Sequence, residues 1–118
     1  MGATQTLARA AGGQRAKEII LTGRPFTADE ALAWGVASQV CAPERLLDEA
    51  LETAVRIAAN APLAVKAIKH AIDAGAGRPL REAMQIELEQ YNRLFTTHDR
   101  VEGVRAFNEK RKPRFSGE

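Results

Sequence analysis

The chain has a single cysteine, Cys41, in 118 residues, which excludes an internal disulfide and suits a reducing cytoplasm or organelle matrix. Its two histidines, His70 and His98, have no neighbouring cysteine or histidine at a spacing that fits zinc, so no metal site is expected. No stretch approaches the roughly 18 consecutive apolar residues of a membrane span, and the opening MGATQTLARAAGG lacks the apolar run of a leader. The net charge is only +2, which weighs against a nucleic-acid partner. Familiar signatures are missing too: there is no G-x-S-x-G elbow, no G-x-x-x-x-G-K-[ST] phosphate loop and no H-E-x-x-H. The carboxylates Glu18, Asp29, Glu44, Asp48, Glu49 and Glu52 all fall in capping or amphipathic contexts, and none is assigned a catalytic role.

What remains is an ordinary globular composition, 45% hydrophobic and 27% charged, too apolar for intrinsic disorder. Residues 1–118 are read as a single domain, mainly α. Ala16, Ile19 and Ile20 recur at helical spacing between Gln14 and Thr22, with Gly23 placed for a left-handed cap. The two glycines of AAGGQR before this helix are read as a tight turn. FTADEA puts Thr27 at an N-cap with Glu30 three residues on, a capping box, and Gly35 closes that short helix.

Val36 to Cys41 is the one stretch with strand-like alternation, so at most one short strand is expected. Pro43 opens a helix whose stripe runs through Leu47, Leu51, Ala54 and Ala58 and which Asn60 ends. Pro62 opens another, with Val65, Ile68 and Ile72 as its buried face and Gly75–Gly77 as its stop. Pro79 starts a third, carrying Leu80, Met84, Leu88, Tyr91 and Phe95 along one side. Asp99 is placed to cap a last helix, with Glu102 completing a box and Val101, Val104 and Phe107 facing inward. Cys41 and Trp34 are read as packing residues, His70 and His98 as solvated ones.

The charge is unevenly placed. From Arg100 to Arg114 there are six cations, Arg100, Arg105, Lys110, Arg111, Lys112 and Arg114, against the two acids Glu102 and Glu109. Beside Phe107 and Phe115 they could hold a phosphate while an aromatic covers a purine ring. Composition alone favours the plainer reading, cations complementing a helix C-terminus.

Three blocks shift that balance: GATQTLARAAGGQRAKEIILTGRPFTADEALAWGVASQV, AANAPLAVKAIKHAI and DRVEGVRAFNEKRKPRF. In this order and spacing they resemble the C-terminal part of the crotonase superfamily, the enoyl-CoA hydratases and isomerases, over nearly the whole chain. The resemblance implies the helical C-terminal region of a crotonase-like fold, without the β-α spiral core. It implies that the final helix and tail contact the adenine and phosphate end of the coenzyme A moiety of an acyl-CoA, with no covalently bound cofactor. By position Lys110 matches the family lysine of that contact, and Tyr91 falls where an aromatic of the preceding helix approaches the adenine. A mobile ammonium at a helix end suits a phosphate that is released every turnover.

In the family the oxyanion-hole loops and the proton-transferring glutamates lie upstream of the blocks matched here. No residue of this chain is therefore assigned to catalysis, and the chain alone is expected to be inactive or nearly so. The complete enzyme would hydrate, or shift the double bond of, a 2-enoyl-CoA. Family members form trimers or hexamers, so a homo-oligomer is expected, because faces such as Leu47 and Leu51, or Val65, Ile68 and Ile72, would lack part of their natural covering. The competing reading is a helical assembly module without ligand binding.

Overall fold

The computed structural model describes residues 2–118. They form α1 (Ala3–Ala11), α2 (Gly13–Thr22), α3 (Ala28–Ala33), a 3-10 turn (Pro43–Arg45), α4 (Leu46–Ala58), α5 (Pro62–Gly75), α6 (Leu80–Leu94) and α7 (His98–Asn108). No strand occurs among the described residues, and residues 36–41 run as irregular chain. Strand-like alternation has no effect without a partner ladder to supply hydrogen bonds. Residues 2–49 and residues 50–118 cluster into two compact units, the boundary falling within α4.

In the first unit, α1 was not anticipated, since its apolar content is Leu7 and four alanines, too narrow a stripe to stand out. Gly12, at φ 84°, makes the turn into α2. Gly23 caps α2 in the left-handed region, its N–H donating to the Ile19 carbonyl at 2.9 Å. The Thr27 box forms as expected: the Glu30 N–H donates to Thr27 Oγ1 at 3.1 Å, and the Thr27 N–H donates to Glu30 Oε2 at 2.8 Å. That second bond, with the Arg24 charge beside it, holds the Glu30 carboxyl below its ordinary value. Trp34 packs at 5.5 Å from the Phe26 ring, with the Arg15 and Arg24 guanidiniums over it at 5.4 and 5.6 Å. Buried here are Ala11, Ala16, Ile19 and Ala31.

In the second unit, Pro62 stands in the first turn of α5, where its missing N–H costs nothing. The close pair is α5 with α6, and small residues make their seam. Ala67 is buried, and a Cβ added at Gly75 would lie 3.3 Å from Ala83 Cβ. This corrects the expected buried face of α5: Val65 is half-buried, while Ile68 and Ile72 are exposed. Two helices joined through alanine and glycine approach closely and leave the branched side chains to either side.

The inward face expected for α7 is corrected in the same way. Val101, Val104 and Phe107 are exposed, Phe107 at 84%, and the buried residues of α7 are Asp99 and Ala106. Exposed apolar rows also run along α4 (Leu47, Leu51) and α6 (Leu80, Met84, Leu88). Among the described residues nothing apolar larger than isoleucine is buried, so the periodicity marks faces that this chain does not itself cover.

Candidate functional site

The site is built from α7 and the residues that follow it. Thr97, not Asp99, caps α7: its Oγ1 accepts from the Arg100 N–H at 3.3 Å while its hydroxyl donates to the Leu94 carbonyl at 2.8 Å. Asp99 and Glu102 have capping-box spacing, but they are three apart on one face of a formed helix, and the C-terminal tail covers that face. Asp99 is 3% exposed. Its carboxylate accepts from the backbone N–H groups of Ser116 at 2.7 Å and Gly117 at 2.9 Å, and from the Ser116 hydroxyl at 3.4 Å. The Asp99 N–H in turn donates to the Glu118 carbonyl at 3.1 Å.

Glu102 makes the second fastening. The Arg111 guanidinium donates to both its oxygens, at 2.6 and 2.9 Å, and the Arg114 N–H adds a third bond at 2.8 Å. A forked guanidinium–carboxylate pair is among the stronger charge-assisted arrangements. Together with the Arg114 N–H it lowers the Glu102 carboxyl to about 2, while the pair raises Arg111 above its already high value. Phe115 closes the tail over Gly103, its ring 3.6 Å from where a Cβ would stand.

Between helix and tail sits Lys110. Its φ is 53°, the only positive value at a described residue other than glycine. The Lys110 N–H donates to the Phe107 carbonyl at 3.2 Å and the Arg111 N–H to the Ala106 carbonyl at 3.0 Å. These two bonds define the helix-ending turn that normally carries glycine at this position. A lysine held there is strained by order 1–3 kcal/mol and persists only where its surroundings impose the geometry. Its ammonium has no hydrogen-bond or ion-pair partner among the described residues.

The other residues divide into separate places. A hollow of about 710 Å³ lies between α7 and the tail, with His98, Asp99, Glu102, Lys112 and Arg114 among its lining residues. Lys110 is not part of that lining. Tyr91, 53% exposed, lines an apolar hollow of about 800 Å³ along α6 with Leu80, Met84 and Leu88. Tyr91 lines the hollow along α6, and Lys110 lines neither of these two hollows. Sequence reasoning named Lys110 but read Asp99 and Glu102 as a capping box, where the structure has them fasten the tail that follows Lys110. Their signal, an acid pair followed by a basic stretch about ten residues later, also fits a solvated helix end.

Among the described residues no cluster of three or more histidine, cysteine or carboxylate side chains could hold a metal ion, and no helix is long and apolar enough to cross a membrane. The chain matches the enoyl-CoA hydratase/isomerase family over residues 1–118, and it belongs to that family. In a crystal structure of an enoyl-CoA hydratase from Bacillus anthracis, 43% identical, the match covers 99% of this chain and 45% of that one, with a TM-score of 0.96. The short-chain-enoyl-CoA hydratase of Clostridium acetobutylicum is 40% identical over 111 residues, 94% of this chain and 42% of its own length. The mitochondrial enoyl-CoA hydratase of Pongo abelii is 37% identical over 114 residues, 97% of this chain and 39% of its own length. The chain therefore spans less than half the length of these relatives and aligns with their C-terminal part.

Proposed function

We propose that residues 1–118 act as one helical domain, the CoA-contacting and oligomerisation part of an enzyme that hydrates a 2-enoyl-CoA or shifts its double bond. The observation that carries this reading is Lys110: an unpartnered ammonium, on a strained turn held by its neighbours, in a chain of this family. In this reading Lys110 meets a phosphate of the nucleotide end of coenzyme A, and Tyr91 lies against the adenine from α6. The exposed rows on α4, α5 and α6 support burial against other polypeptide, including further copies of the chain. The lone cysteine, half-buried and free, accords with a reducing cytoplasm or organelle matrix. Hydration and isomerisation need groups to hold an oxyanion and move protons. No residue of this chain is assigned those roles, and alone it is expected to be inactive.

The test is a calorimetric titration with coenzyme A and with dephospho-coenzyme A at one ionic strength, for the chain and for Lys110→Ala. Loss of the 3′-phosphate is expected to weaken binding by about tenfold, roughly 1.4 kcal/mol, and Lys110→Ala to abolish that difference. A Lys110→Ala chain that still distinguishes the two ligands refutes the lysine's role. Absence of binding to either ligand by a folded chain would leave it an assembly module.

A further inference from the structure

The arrangement around Lys110 is more specific than a cation at a helix end requires. The residue before it and the residue after it are tied together, Arg111 Nε donating to Glu109 Oε2 at 2.6 Å. The same guanidinium reaches back two turns of α7 to Glu102, whose carboxylate also takes the Arg114 N–H. Glu102 therefore holds the chain at 111 and at 114, on the C-terminal side of the one described non-glycine residue with left-handed backbone. Its side chain is 19% exposed, so water competes little for its oxygens. The Lys110 side chain is left out of this network entirely.

We propose that Glu102 is a positioning residue: by binding Arg111 and the Arg114 amide it locks the left-handed turn at Lys110 and so fixes where the Lys110 ammonium stands. This rests on the reading of Lys110 as a phosphate contact. A lysine side chain has four rotatable bonds, and its reach covers many places if the backbone beneath it also moves. Clamping the turn confines the charge to one region and removes part of the ordering cost of binding an anion.

The test uses the full chain with Glu102→Gln, which keeps the shape of the side chain but removes the charge that holds the guanidinium. Two readouts separate the inference from the reading beneath it. The first is amide hydrogen exchange without ligand, where Glu102→Gln is expected to speed exchange of the Arg111 and Arg114 amides by about tenfold or more, with the interior of α7 unchanged. Unchanged exchange at those amides overturns the proposal whatever coenzyme A does.

The second is the ratio of affinities for coenzyme A and dephospho-coenzyme A. Glu102→Gln is expected to reduce the preference for the 3′-phosphate, and the double variant with Lys110→Ala to be no worse than Lys110→Ala alone. Additive losses overturn the proposal, because they mean that Glu102 acts other than through Lys110. If Lys110→Ala leaves the ratio unchanged, the phosphate reading fails first, and the positioning role falls with it even where the exchange result stands. Arg111→Lys, which keeps the charge but loses the fork, is expected to repeat both effects and covers the case in which Glu102→Gln fails to fold.

Discussion

Replacing Asp99 tests whether the tail is held as its hydrogen bonds imply. The Asp99 carboxylate takes two backbone N–H groups at 2.7 and 2.9 Å, while the Ser116 hydroxyl at 3.4 Å is too distant to add much. A hydrogen bond to a charged partner contributes about 1.5–3 kcal/mol, and the lower value for each N–H gives about 3 kcal/mol for Asp99→Ala. The freed N–H groups can reach water if the tail lifts, so this loss falls on local opening of residues 111–118 more than on the whole unit. At about 1.4 kcal/mol per tenfold, the open fraction of the tail rises about a hundredfold. Asp99→Asn keeps one acceptor oxygen but turns an NH₂ toward the second N–H, and the rise is about tenfold. The assay is limited trypsin digestion at the Arg114–Phe115 bond, with protease dilute enough that reclosing outpaces cleavage and the rate follows the open population. Cleavage of Asp99→Ala within about twofold of the unaltered chain would refute the reasoning. It would mean that the tail is held by something other than these bonds, or not held at all.

Two further outcomes are expected. Glu102 is lowered from its ordinary 4.5 to about 2, so its fastening is fully present above the unfolded value and is lost as pH falls through the folded one; Glu30, also lowered, acts in the same direction in the first unit. The difference in urea midpoint between the chain and Glu102→Gln should therefore be constant above about pH 5 and close as pH falls toward about 2; a gap still open at the acid end contradicts the assignment. Gly103→Ala should raise stability by about 0.5–1 kcal/mol, because a helix-interior glycine gains order as alanine. The added Cβ meets the Phe115 ring at 3.6 and 3.9 Å, ordinary contact distances, and a lowered melting temperature would show that the ring cannot accept it.

Some parts of the molecule are legible residue by residue. The Thr27 box and the Gly23 cap need only atoms within four residues, and both form with the expected donors and acceptors. Helix starts near Pro43, Pro62 and Pro79 follow from an imino acid that has no N–H to lose. Asp99 and Glu102 show where such reading stops. A box motif and a pair of carboxylates on one helical face look the same in sequence, and which one forms depends on whether Thr97 takes the cap and where the tail goes. Ile68, Ile72, Val101 and Val104 show the same limit for burial, since apolar period identifies a face without saying what covers it.

Sequence by itself determined the helices other than α1, most of their ends, the family resemblance and the position of Lys110 within it. Each of these rests on local hydrogen bonding, apolar period or matched order of residues. Only the tertiary structure decided that α5 and α6 meet through Ala67, Gly75 and Ala83, that Asp99 and Glu102 bind the tail instead of capping a helix, and that Lys110 occupies a turn suited to glycine. Those outcomes depend on residues up to 19 positions apart arriving at one place, and no local propensity carries that information.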